Sequence, residues 1–347
     1  MGEHAAVYGR PALVAALDLR CRVEVAERPG DRVELSLPDL GTREETTWDA
    51  VRAYGDAARR RWLEYATDPV ARPFDTVLGT DRAHLVKVAA GETARDAGLE
   101  RPPGAHIAVA SSIPSGGGFG SSAALAVALP AALLAAWGEA PDLARVERVA
   151  LEIERRQHGL PSGVDHATAL VGGVVRAQRA ADGTLAIEPL PLGTGALRGV
   201  RVYHTGDAPD GTGEVVASVR ERFSGRRSEL DAVLDRMEAA TLAFARGVGR
   251  DDRAGEAELR SAVREFEACL EHLGVVPPTV RATIRVFEAV GGAAKISGAG
   301  SARGPGAGAL LALPSPAADS PLPDWLPHLA PVTAVLGAPG LSVEGSA

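Results

Sequence analysis

Apolar and polar residues alternate through positions 11–37, as ALVAALDLRCRVEVAE and then DRVELSL, and the two runs are parted by RPGD at 28–31. A period of two turns one face of a strand toward a core, and a Pro-Gly turn between two such runs predicts a β-hairpin. The period then lengthens. Residues 47–65 and 81–99 carry helical patterns, the second with Leu85, Val86, Val88 and Ala89 on one face. HIAVASSI at 106–113 predicts a strand, PSGGGFGSS a loop, and the apolar run 123–137 a buried helix.

A charged amphipathic helix is predicted over 142–158 from the spacing of Val146, Val149, Ala150 and Ile153, with Gly159 as its C-cap. The polar loop LPSGVDH follows. Short strands are predicted at 173–176, 185–189 and 200–204, and long helices at 214–247, 256–273 and 279–290. A second glycine-rich segment, KISGAGSARGPGAGALLAL, leads into a strand; a Pro-rich stretch covers 314–323 and a last strand is predicted at 341–343. The glycines of LPLGTGALR, residues 190–198, and the change there to a mostly helical pattern predict a domain boundary, giving domains 1–194 and 195–347 of an α+β protein.

Composition narrows the function. A chain of 347 residues is long enough for two cores, and 46% hydrophobic with 24% charged residues suits a globular protein. The net charge of −8 supplies no basic field for a nucleic-acid backbone. A polyanion such as ATP must then be held by local devices: backbone N–H groups, a helix N-terminus, Mg²⁺ and a few placed cations. Cys21 and Cys269 have neither disulfide-framework nor zinc spacing, which points to a reducing compartment. The apolar run 123–137 is 15 residues long and contains Pro130. It falls short of the roughly 20 needed to span a bilayer. The expected location is the cytoplasm, with small-molecule partners, no nucleic acid and no membrane; homodimeric assembly is left open.

The densest chemical signal is PSGGGFGSSAA, where Gly116, Gly117, Gly118 and Gly120 precede Ser121 and Ser122 at a helix start. Glycines let successive N–H groups converge on one anion, and the helix N-terminus adds partial positive charge. No lysine follows, so this is not a Walker A loop, and the GxGxxG spacing of a dinucleotide site is absent. From Pro114 onward the pattern PxxxGxGSSAA resembles the ATP-binding motif of the GHMP kinases, which include the galactokinases and the homoserine, mevalonate and phosphomevalonate kinases. The resemblance implies that Pro114, the four glycines and Ser121 face the nucleotide, and that Ser122 helps hold Mg²⁺.

Three further segments are similar to those of the mevalonate kinases within that superfamily. GEHAAVYGRPAL at 2–13 resembles their first motif and implies that Glu3 and His4 stand at the acceptor site. PSGVDHA at 161–167 resembles PSGVDNA, which implies that Asp165 takes the proton of the reacting hydroxyl, with His166 in place of the usual Asn. Glu154 stands where the family places the carboxylate that joins the motif serine on Mg²⁺; hard oxygen ligands suit that ion. KISGAGSARGPGAG matches K-hydrophobic-T/S-GAGGGG at Ser297, Gly298, Ala299 and Gly300, implying close backbone approach to substrate, and departs from it at Ser301, Ala302 and Arg303. Arg303 reads either as a cation for phosphate or as a solvated loop residue.

The resemblance implies a two-domain GHMP kinase fold, with an N-terminal ribosomal-protein-S5-like domain and a C-terminal α+β domain. It implies ATP-dependent phosphorylation of a small-molecule alcohol with Mg²⁺, mevalonate being the first acceptor to test and phosphomevalonate or another alcohol the alternative. The family's first strand carries a lysine before GEH, whereas this chain opens at Met1 directly before the motif. That departure keeps a ligand-binding protein without catalysis in view. It also predicts that the native reading frame extends upstream by roughly 10 to 20 residues, one strand and its lead-in, and encodes a lysine there. Restoring that segment is expected to raise turnover by orders of magnitude. An in-frame stop with no lysine codon before Met1 would overturn the idea.

Overall fold

The computed structural model describes residues 1–68, 77–78, 80–114, 117–180, 182–192, 197, 199–315 and 329–344. Gly116, much of the expected boundary segment and residues 316–323 of the Pro-rich stretch lie outside the described residues. The chain begins α1 (Glu3–Ala6), β1 (Ala12–Ala15), β2 (Cys21–Arg28), β3 (Arg32–Leu37), β4 (Thr42–Thr47), α2 (Trp48–Thr67), α3 (His84–Asp96) and β5 (Gly104–Ser111). It continues α4 (Ser121–Ala136), α5 (Leu143–His158), α6 (Val164–Val171), β6 (Val174–Arg179), β7 (Leu185–Pro189) and β8 (Arg201–His204). It closes α7 (Thr212–Arg222), α8 (Arg227–Val248), α9 (Arg253–Leu273), α10 (Pro278–Ala289), β9 (Ala293–Ser297), β10 (Ala309–Leu313) and β11 (Ala330–Val332).

These elements form two compact units, each assembled from separated stretches. The first is Met1–Asp18, Ser115–Phe119 and Gly173–Ala338; the second is Leu19–Pro114, Gly120–Gly172 and Pro339–Ala347. This spatial grouping differs from the sequence division at 194/195. The reason is strand pairing: β1 binds antiparallel to β6, with Ala12 opposite Ala177, so the first residues join a sheet made from positions beyond 173.

In the second unit the sheet order is β2-β5-β3-β4. The predicted hairpin does not close, because β5 lies between its two arms, antiparallel to β2 and parallel to β3. The wedge is possible because β5 starts on a glycine. A Cβ at Gly104 would sit 2.8, 2.9 and 3.0 Å from the carbonyl oxygens of Arg28, Gly30 and Arg32, the mouth of the turn itself. Gly104 N donates instead to Gly30 O at 2.7 Å. Val33, Leu35, Ile107 and Trp48 are buried together with Leu129, Leu133 and Ile153 from α4 and α5. Helices α2 and α3 lie close together at Gly55 and Gly91, where a Cβ on Gly91 would lie 3.3 Å from Val51 O.

The first unit holds two sheets, β1-β6-β7 and β11-β8-β10-β9. Helices α8, α9 and α10 bury Leu234, Met237, Phe266, Leu270, Ile284 and Phe287 with Ile296 and Leu310 of the larger sheet. The helix expected over 214–247 is two, α7 and α8, broken where Gly225 adopts φ +76°. The loop expected at LPSGVDH is partly helical, since α6 opens at Val164. The strand expected at 341–343 does not form: Leu341 N donates to Leu170 O at 3.1 Å and its side chain packs on the second unit's core. Among the described residues no helix is long and apolar enough to cross a membrane.

Gly104→Ala is expected to destabilise the protein by about 1–3 kcal/mol or more, because three carbonyl oxygens would have to retreat from the new methyl. Urea titration of the variant checks this. A midpoint equal to wild type would show that β5 does not depend on that close approach.

Candidate functional site

In the first unit the segment around GEH is held by tertiary bonds rather than by its own helix, which is only four residues long. Gly2 adopts φ +98°, and a Cβ there would lie 2.5 Å from Ala12 Cα, so the turn into Glu3 admits no side chain. Leu13 N donates to Met1 O at 2.8 Å and the Met1 amino group donates to Leu13 O at 2.9 Å. Glu3 Oε1 accepts from Lys295 Nζ at 2.5 Å and from Ser297 Oγ at 3.3 Å. His4 Nε2 donates to Ala299 O at 2.9 Å, which requires the Nε2–H tautomer. Four of the sequence-predicted positions, Glu3, His4, Ser297 and Ala299, are thus bonded to one another directly across almost the whole chain.

Lys295, which the sequence reading passed over as part of a motif, is the centre of this arrangement. It is 1% exposed. Its ammonium also donates to Ile296 O at 2.5 Å and lies 5.3 Å from the centre of the Phe266 ring. Burial works against the Glu3 carboxylate, but the Lys295 charge, then the Met1 amino group and the Lys295 hydrogen bond, outweigh it and bring Glu3 down to about 2. Glu267 has the opposite fate: burial, only partly offset by Lys295, pushes it up to about 8. Its Oε2 accepts from Ile296 N at 3.1 Å while Oε1 has no partner among the described residues. One ammonium therefore neutralises one carboxylate, and the second carboxyl stays protonated.

The glycine loop is laid against the same segment. Ala309 N donates to Gly117 O at 2.9 Å, and a Cβ on Gly308 would lie 2.6 Å from that oxygen. A Cβ on Gly118 would meet Ser297 O at 3.5 Å. Gly298 and Gly300 both take positive φ, and Gly300 has Val275 O in the space a side chain would fill. Arg303 is not a free cation, since its guanidinium pairs with Asp210.

The second unit holds the remaining predicted residues. Pro114 ends the approach from β5, Gly120 at φ +76° caps α4, and Ser121 and Ser122 occupy the first turn, where backbone N–H groups lack helical acceptors. Ser122 Oγ lies 2.8 Å from His158 Nε2, and His158 Nε2 lies 3.9 Å from Glu154 Oε2 one turn earlier on α5. Burial first, then the Asp165 charge, push Glu154 up to about 8, against a pull from the Ser122 hydroxyl. Asp165, in the first turn of α6, reaches solvent, but the protein hemming it in raises its carboxyl above the ordinary range. His166 is buried, its Nδ1 has no partner among the described residues, and burial lowers it to about 4, so it is neutral. Sequence reasoning missed His158; its signal was the helical i, i+4 spacing from Glu154.

These residues fit a magnesium ion completed by nucleotide oxygens. Glu154 is 2% exposed and its Oε1 is buried without a partner, an uncompensated acceptor that a hard cation would satisfy. Among the described residues no cluster of three or more His, Cys, Asp or Glu could hold a metal by itself. A cation here would depend on the Ser122 hydroxyl, Glu154, phosphate and water.

The raised Glu267 carboxyl has a measurable consequence. Its folded value of about 8 lies above the unfolded 4.5, so its contribution to stability is full below the unfolded value and is lost as pH rises through about 8. Glu267→Gln, which mimics the protonated acid, is expected to flatten that decline, so that the variant gains on wild type in melting temperature as pH rises across that window. Parallel pH profiles for the two proteins would place the proton elsewhere.

Residues 84–173 match the family described as GHMP kinases N terminal domain. A mevalonate kinase from Bos taurus is 30% identical over 345 residues, covering 90% of this chain and 83% of the relative. Among solved structures, Methanococcus jannaschii mevalonate kinase superposes with a TM-score of 0.69 at 18% identity, covering 90% of this chain and 87% of its own. An L. major mevalonate kinase in complex with R-mevalonate does so with a TM-score of 0.65 at 18% identity, covering 99% and 94%. The likeness to the bovine enzyme over nearly the whole chain, with the GHMP N-terminal match inside it, shows that this protein belongs to the mevalonate kinase family of GHMP kinases.

Proposed function

We propose that this kinase transfers the γ-phosphoryl group of ATP to the hydroxyl of mevalonate, giving phosphomevalonate and ADP in the cytoplasm. The observation that carries the reading is the direct bonding of the first motif to the third, Glu3 to Lys295 and Ser297 and His4 to Ala299. Residues that the family resemblance assigns to the acceptor are here one connected structure. The N–H groups of Gly117, Gly118 and Gly120 and the start of α4 suit phosphate oxygens. Ser122 and Glu154 would hold Mg²⁺, which supplies charge neutralisation on the phosphates when bound.

Asp165 is assigned the acceptor's proton. As the hydroxyl oxygen forms its bond to the γ-phosphorus, the bond from that phosphorus to the β–γ bridging oxygen breaks, ADP leaves with the electron pair, and the proton passes to the Asp165 carboxylate. A raised carboxyl pKa makes Asp165 a better proton acceptor than an ordinary aspartate, provided it is ionised when the substrate arrives. Glu3 and His4 shape the acceptor side and are already committed to Lys295 and Ala299, so their effect is on position and charge rather than proton transfer.

An ADP-release assay across mevalonate, phosphomevalonate, homoserine and galactose tests the acceptor: mevalonate should give the highest kcat/KM, and preference for any of the others would replace it. Asp165→Asn is expected to lower turnover by about 10² or more, the scale for loss of a general base, with ATP binding retained. Retention of half the wild-type rate would remove Asp165 from the mechanism. Ser122→Ala and Glu154→Gln should each raise the magnesium requirement, and the double variant should show less than the sum, as for two groups on one ion. Magnesium titrations that superimpose on wild type would sink the metal assignment.

A further inference from the structure

The third motif departs from its family pattern at Ser301, Ala302 and Arg303, and those three residues converge on one side chain outside the motif. Asp210, in the segment between β8 and α7, is 7% exposed. Its Oδ2 accepts from Ala302 N at 2.9 Å and Arg303 N at 3.0 Å, and its Oδ1 from Arg303 Nε at 2.6 Å, with Arg303 NH2 at 2.5 Å. Ser301 Oγ lies 2.7 Å from the same Oδ2 and 2.6 Å from Arg303 O, its single proton serving one or the other. Two successive backbone N–H groups, a hydroxyl and a guanidinium around one carboxylate make up the donor set that proteins use to hold an oxyanion. Here the oxyanion is part of the chain.

We propose that Asp210 is a positioning residue: its carboxylate fills the N–H cradle of residues 301–303 and so presets the backbone of Gly298, Ala299 and Gly300 for the acceptor before any substrate binds. A glycine-rich loop without such an anchor samples many backbone states, and binding then selects a fraction of them at a cost in apparent affinity. The anchor is local. The far end of the same loop is held independently, by Thr205 N and Oγ1 donating to Gly308 O at 2.8 and 2.9 Å and by Ala307 N donating to Thr205 Oγ1 at 2.9 Å. Gly308 and Ala309 in turn abut Gly117 of the glycine loop. Asp210 thus serves the acceptor end, and Thr205 the end that touches the phosphate loop. This assignment rests on the mevalonate kinase reading above.

Steady-state kinetics of Asp210→Ala, Asp210→Asn and wild type, with mevalonate and ATP varied in turn, decides it. Asp210→Ala is expected to raise KM for mevalonate roughly tenfold, with kcat within about threefold and KM for ATP within about twofold of wild type, since only the acceptor end is released. Asp210→Asn, which keeps one acceptor oxygen for the two N–H groups, should fall between them. Sodium formate, a small carboxylate able to enter the emptied cradle, should lower the raised KM of Asp210→Ala and leave wild type unchanged. A KM for mevalonate equal to wild type, or a raised KM that formate does not relieve, overturns the assignment. Amide hydrogen exchange on wild type and Asp210→Ala needs no activity: exchange should quicken at 302 and 303, whose N–H groups lose their acceptor, and stay constant at 307–309, and unchanged exchange at 302 and 303 overturns the proposal. If wild type phosphorylates none of the acceptors, the functional reading fails by that result, and amide exchange still decides whether Asp210 holds the loop.

Discussion

An ammonium group removed from water demands acceptors, and the first unit is organised around meeting that demand for Lys295. Moving a charge into the interior costs several kcal/mol, which only close pairing and further hydrogen bonds offset. Glu3, the Ile296 carbonyl and the face of Phe266 supply them. The consequence reaches beyond one pair. Helix α1 is too short to stand by itself, so the orientation of the GEH segment follows from where Lys295 holds Glu3 and where Ala299 holds His4.

Close backbone approach is the second organising element, and it explains why particular glycines stand where they do. Gly308 and Gly117 are in contact at a distance no Cβ would allow, so the third motif and the glycine loop meet backbone to backbone. The same logic in the second unit lets Gly104 enter the mouth of the β2–β3 turn. In both places the missing methyl group permits a main-chain hydrogen bond, Ala309 to Gly117 and Gly104 to Gly30, that orders the neighbouring segment.

Two buried glutamates show how similar environments serve different ends. Burial raises both Glu154 and Glu267 to about 8. Glu267 spends its one bonded oxygen on the backbone of β9 and is structural. Glu154 sits one turn from His158, which touches the hydroxyl of Ser122, and keeps an oxygen without a partner. In the magnesium reading proposed above, a divalent cation arriving with the nucleotide would displace the proton of Glu154.

The sequence by itself determined the helices α2 to α5 and named the candidates for the phosphate, acceptor and metal sites that the proposed function uses. Periodicity, helix starts and glycine-serine spacing are local codes, written within a few residues of one another. Sheet order was not legible, because two alternating runs joined by a tight turn look like a hairpin whether or not a third strand lies between them, and that choice is made by β5 and its glycine. Nor could the sequence show that Lys295 would hold Glu3, that His158 would touch Ser122, or that Asp210 would occupy the cradle of residues 301–303. Those pairs lie 292, 36 and 91 to 93 positions apart, and a contact between distant residues leaves no pattern in either neighbourhood; only the packed chain, which must find a partner for every buried charge and N–H group, decides it.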